Sequence, residues 1–88
     1  MRIDFDRAFK KAYQKRIVQN KKFVAQTGKR IALFKENRFH PLLKDHALEG
    51  ELSYLRAFCV TGDIRIVYYP VSKDHMLFLD IGSHNQVY

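Results

Sequence analysis

Apolar and polar positions alternate over the first five residues. Met1, Ile3 and Phe5 are set against Arg2 and Asp4, which is the period of a short half-buried strand. From Phe5 the period lengthens. Phe5, Ala8, Phe9, Ala12, Tyr13 and Ile17 recur at three- and four-residue spacing, with Arg7, Lys10, Lys11, Lys15 and Arg16 between them. This predicts an amphipathic helix over Asp6–Val18, with Asp4 or Asp6 as its cap. Asn20 breaks the pattern and can cap a second helix, in which Phe23, Val24, Thr27, Ile31 and Phe34 form the apolar stripe and Lys21, Lys22, Lys29, Arg30 and Lys35 lie outside. Gly28 inside this stretch costs about 1 kcal/mol relative to Ala. Asn37–Pro41 ends the helix, because the residue before Pro41 is biased away from the α region.

After Lys44, Asp45, His46 and Gly50 the spacing falls to two and β-branched and aromatic residues dominate. Leu52, Tyr54, Arg56, Phe58 and Val60 read as one strand. Ile64, Ile66, Tyr68 and Pro70 alternate with Arg65, Val67 and Tyr69 in the next, and Met76, Phe78, Asp80 and Gly82 alternate with Leu77, Leu79 and Ile81 in the third. Thr61-Gly62-Asp63 and Ser72-Lys73-Asp74 supply the turns, and Ser83–Tyr88 is left as a polar tail. The expected fold is α+β with the order β-α-α-β-β-β: a short N-terminal strand, two helices, then a three-stranded antiparallel meander.

Eighty-eight residues, 47% of them hydrophobic, supply apolar surface for one core, so a single domain over residues 1–88 is expected. Seven Phe and five Tyr argue against a disordered tail, and no apolar run approaches the roughly 20 residues of a membrane span. Met1 is followed by charged sequence without a secretory pattern, which predicts a cytoplasmic location and no membrane contact. The lone Cys59 can form no internal disulfide.

Charge changes the picture more. The net charge is +7, and residues 1–44 hold thirteen basic and three acidic residues, net +10, against −3 for residues 45–88. A polyanion or an acidic partner is implied. No glycine-rich nucleotide loop, HExxH or EF-hand spacing occurs. Cys59, mid-strand between Phe58 and Val60, reads as a packed thiol, and His40 and His75 read as solvated surface histidines. His46, Arg56, Asp63, Arg65, His84 and Tyr88 fall near strand ends or at alternate strand positions. An arginine among aromatic strand residues must be ion-paired, solvated or aimed at a ligand, and spacing leaves those options open for Arg56 and Arg65.

The runs Leu43-Lys44-Asp45-His46-Ala47-Leu48-Glu49-Gly50, Tyr54-Leu55-Arg56, Gly62-Asp63-Ile64-Arg65-Ile66-Val67-Tyr68 and Ile81-Gly82-Ser83-His84-Asn85-Gln86-Val87-Tyr88 carry a resemblance across essentially the whole chain. The sequence resembles the RelE/ParE superfamily of bacterial type II toxins, and within it the YafQ-like mRNA interferases. The resemblance implies a RelE-like fold and a metal-independent endoribonuclease without a cofactor, cutting mRNA on the ribosome. It also implies a cognate antitoxin encoded beside the toxin. The toxin alone is then expected to be a monomer, and an oligomer with its antitoxin.

By the same resemblance, His46 looks like the histidine of the family's Lys-Asp-His run, and His84 like that of its Gly-Ser/Thr-His ending. Asp63 resembles the acidic residue before the middle strand, and Arg65 falls where the superfamily has a catalytic arginine. These four are the implied catalytic residues. Tyr88, at the terminal aromatic position, is expected to stack on a base. Arg56, Lys44, Lys10 and Lys11 are expected to hold messenger or 16S rRNA phosphate. Ala57 and Cys59 depart from the family pattern, which has an acidic residue and a histidine there, so fewer titratable groups are expected in the site. Two other functions fit the sequence: a ParE-like toxin that binds gyrase without chemistry, and a basic RNA-binding domain that does not cleave.

Overall fold

The computed structural model describes residues 1–88. Strand β1 is Arg2–Phe5, helices α1 and α2 are Arg7–Arg16 and Lys21–Glu36, and strands β2 to β5 are His46–Ala47, Arg56–Cys59, Ile64–Ser72 and His75–Ser83; helix α3 is His84–Val87. One five-stranded sheet has the order β1-β5-β4-β3-β2. The meander β3-β4-β5 is antiparallel as expected, while β1 lies parallel to β5 with Ile3 opposite Met76 and Phe5 opposite Phe78.

The two basic helices form where the 3.6-residue pattern placed them. Asp6 caps α1 by accepting from the Ala8 amide at 2.8 Å. The helix ends at Arg16, two residues before the expected Val18, because the Ile17 and Val18 amides share the Tyr13 carbonyl and the chain then turns at Asn20. Asn20 accepts from the amides of Lys22 at 3.0 Å and Phe23 at 3.1 Å, and α2 runs unbroken through Gly28. Phe34 of α2 is the hub of the core: its ring stacks on Phe58 at 4.6 Å and meets Tyr68 and Phe78 edge-on at 5.0 and 5.5 Å.

Three features depart from the strand pattern. The first meander strand does not begin at Leu52. Gly50 has φ +65°, Gly50–Leu52 is a 3-10 turn closed by the Ser53 amide on the Gly50 carbonyl, and only Arg56–Cys59 is extended. In β5, Val67 pairs with Asp80 but Tyr68 pairs with Phe78, so Leu79 is an extra residue and the register shifts. The bulge turns Ile81 into the same core as Phe78, against the strict alternation expected. Finally, the polar tail coils: Ser83 caps α3, and its amide donates to Gln86 Oε1 at 2.7 Å. A Cβ on Gly82 would sit 2.7 Å from that Oε1 and 2.9 Å from Arg16 Nη1. Arg16 Nη1 is itself held by Asp80 and the Ile81 carbonyl at 3.1 Å each, so neither neighbour can move freely and glycine is needed.

Candidate active site

The residues of the Lys44-Asp45-His46 run have three separate jobs. Lys44 sits at φ 49°, a left-handed conformation that an L side chain rarely adopts, and so reverses the chain after the Pro41–Leu43 turn. Asp45 is the anchor. Its carboxylate is 1% exposed and accepts from Arg56 Nε at 2.6 Å and from the Tyr68 hydroxyl. His46 lies next on the short edge strand, opposite Ala57, with Nδ1 at 2.9 Å from the Lys44 carbonyl. A carbonyl only accepts, so this bond puts the proton of the neutral ring on Nδ1 and leaves the Nε2 lone pair outward.

His84 arrives from the other end of the chain. It opens α3, and its ring lies 4.5 Å from that of Tyr88 at nearly a right angle. A cavity of about 420 Å³ is lined by His46, Leu48, Glu49, Leu52, His84 and Tyr88, together with Ala47. Two histidines 38 positions apart thus face one space beside an aromatic ring. Burial pushes the Tyr88 hydroxyl above its ordinary value, with the Arg65 guanidinium opposing this and Cys59 adding to it.

Arg65 lies opposite Cys59 and Gly82 in the sheet. It alternates with the core residues Ile64 and Ile66 and so points to the face away from the helices. Its Nη1 donates to the carbonyls of Thr61 and Gly62, each at 3.1 Å, and its other nitrogens bond to nothing in the chain. Ala57 and Cys59 on the same face are buried, so the two departures from the family pattern place a methyl and a thiol there.

The other expected site residues are elsewhere. Arg56 shares the core face with Phe58 and is tied to Asp45, with its guanidinium 5.7 Å from the Phe39 ring centre; it is an ion-pair residue of the fold. Burial works to lower its pKa, but the hydrogen bond and charge of Asp45 outweigh this and raise it. Asp63 is exposed in the Thr61–Ile64 turn and does not line the cavity. Lys44 is exposed next to His46, whereas Lys10 and Lys11 lie on α1 in a basic strip with Arg7 and Lys15, outside the cavity. Neither remaining histidine is simply solvated. His40 Nδ1 accepts from the Leu42 amide, and His75 Nε2 meets Asp4 at 2.7 Å.

Neither the anchoring role of Asp45 nor the packing of Arg38 around Tyr68 was legible in the sequence. Arg38 stacks on Phe39 at 4.4 Å, reaches toward Tyr68 at 6.0 Å and donates to Met76 Sδ at 3.6 Å. The only advance signal for Asp45 was its place beside His46. Burial pushes the Tyr68 hydroxyl well above the ordinary tyrosine value, and its hydrogen bond to Asp45 pushes it further, against Arg38 and Arg56. A folded value raised above the unfolded one stabilises fully below about pH 10 and loses that contribution as pH rises toward the folded value. The stability gap between wild type and Tyr68→Phe in urea melts is therefore expected to narrow above about pH 10. A gap constant with pH would show that Tyr68 does not titrate with folding.

The family described as "Bacterial toxin of type II toxin-antitoxin system, YafQ" matches residues 1–88. The chain belongs to the YafQ toxin family. Solved structures agree in fold. A metal-bound toxin from Helicobacter pylori is 25% identical with a TM-score of 0.79, and YafQ from E. coli is 19% identical with a TM-score of 0.77. A chain of the E. coli DinJ-YafQ complex is 21% identical with a TM-score of 0.76. Each match covers 100% of this chain and 99% of the other. No curated protein sequence matches the chain. In this YafQ-family toxin no three His, Cys, Asp or Glu side chains gather as a metal site, and no helix is long and apolar enough to cross a membrane.

Proposed function

We propose that this toxin is a metal-independent endoribonuclease that cleaves mRNA on the ribosome and is held inactive by an antitoxin. The observation that carries this reading is the shared cavity of His46, His84 and Tyr88. Cleavage without a metal requires a base for the 2′-hydroxyl, a cation for the phosphorane and an acid for the departing 5′-oxygen. His46, with its Nδ1 proton held by the Lys44 carbonyl, offers Nε2 as the base. His84 is then the acid, Arg65 supplies guanidinium donors to the phosphate, and Tyr88 stacks on a base. Lys44, exposed beside His46, binds the neighbouring phosphate. The 2′-oxygen attacks phosphorus as the P–O5′ bond breaks, leaving a 2′,3′-cyclic phosphate and a 5′-hydroxyl.

The antitoxin part of the reading is supported by family membership and by the E. coli DinJ-YafQ complex. The decisive experiment incubates the purified toxin with translating ribosomes and maps both mRNA ends. Cyclic phosphate and 5′-hydroxyl termini are expected. Intact message would leave a binding toxin or a non-cleaving RNA-binding domain.

A further inference from the structure

The sheet face turned away from the helices carries a second hollow of about 400 Å³, lined by Tyr54, Leu55, Tyr69, Leu77 and Leu79. The register builds it. Tyr69 pairs with Leu77, and Leu79 is the extra residue of the β5 bulge, which sets one more side chain against the same surface. No charged side chain lines it. The rings of Tyr54 and Tyr69 meet nearly at a right angle at 6.2 Å, yet the two residues stay 59% and 39% exposed, so each keeps ring surface that the chain itself does not cover.

This surface adjoins the histidine cavity. Leu48, a wall of that cavity, donates its amide to the carbonyl of Leu55, a wall of the hollow. His46, Ala57 and Val67 form one row across the sheet, and Leu55 and Tyr69 lie two residues further along on the same face, about 7 Å away. Arg65, Val67 and Tyr69 also share a face of β4, with the Cα atoms of Arg65 and Tyr69 about 13 Å apart. We propose that Tyr54 and Tyr69 bind the unpaired base of the messenger nucleotide on the 5′ side of the cut, whose 2′-hydroxyl faces His46. The inference rests on the endoribonuclease reading above and adds which base is held and by what. Its direction follows from the histidines: the base His46 lies toward the hollow, while the acid His84 lies against Tyr88, which takes the base on the 3′ side. A phosphate or an acidic protein segment would find no cation in the hollow, whereas a nucleobase offers a π face and needs none.

The test uses the full chain with programmed ribosomes and synthetic messages in which one nucleotide is an abasic ribonucleotide, which keeps the sugar, the 2′-hydroxyl and the phosphate. Removing the base 5′ of the cut should slow single-turnover cleavage by the wild type about tenfold at low toxin, and much less at saturating toxin, as loss of one stacked base does. Tyr54→Ser with Tyr69→Ser should lose about the same factor on the intact message and nothing further on the abasic one, and Phe at both positions should restore the wild-type rate. Tyr54→Ser alone, at the more exposed ring, repeats the comparison if the double variant melts early. An equal loss on intact and abasic messages would overturn the proposal in favour of a fold or ribosomal contact. So would a loss that follows the 3′ base, or unchanged cleavage in the serine variants. If the wild type leaves every message intact, the endoribonuclease reading fails and the base site with it; the other outcomes leave that reading standing.

Discussion

His84→Ala is expected to lower single-turnover mRNA cleavage on translating ribosomes by at least about 10²-fold, the usual worth of one positioned acid or base. The fold should survive the change. His84 is exposed at the start of a four-residue helix, and its ring touches Tyr88 rather than the core, a contact worth about 1 kcal/mol. His46→Ala should lose a similar factor, and the two losses should differ in kind. A substrate with a bridging 5′-sulfur needs no proton on its leaving group, so it should rescue His84→Ala and not His46→Ala. Rescue of His46→Ala instead would reverse the acid and base assignments, and wild-type rates in both variants would remove the histidines from the mechanism.

Asp45→Ala should destabilise the chain by about 3 kcal/mol, the lower end of the range for breaking a buried pair, because the Arg56 side chain keeps 26% exposure. Two donors lose their acceptor at once, the half-buried Arg56 Nε and the buried Tyr68 hydroxyl. The change also releases the turn in which Lys44 is held left-handed, so the carbonyl that fixes the His46 proton should drift. Cleavage should therefore fall further than the loss of folded protein explains. Arg56→Met leaves the buried Asp45 carboxylate with only its Tyr68 donor and should cost at least as much in urea melts. Equal, small losses in both variants would show that the ion pair contributes little.

The helices, their caps and the two hairpin turns were legible because each is set within about ten residues of chain. Phe9 and Ala12, or Thr27 and Phe34, announce a buried stripe by spacing alone, and Asn20 is a favoured N-cap for the stripe that follows it. The run of β-branched and aromatic residues from Arg56 onward similarly announced the meander. The start of β3 was missed because Gly50 takes a positive φ and the adjoining turn bends residues that alternate like a strand. Helix α3 was missed because four residues carry no period, and it forms through packing against β4 and β5 and the Gln86 cap.

The sequence by itself determined the N-terminal strand, the two basic helices, the three meander strands in their order and the basic first half, since these depend on local spacing and residue type. Only the tertiary structure decided that β1 lies parallel to β5, that the Leu79 bulge brings Ile81 into the core, that Arg56 belongs to Asp45 while Arg65 faces the open side, and that His46 and His84 share one cavity. Each of these is a pairing between residues distant in the chain. Such pairings are selected by the burial and hydrogen bonding of the whole sheet, and local periodicity carries no term for them.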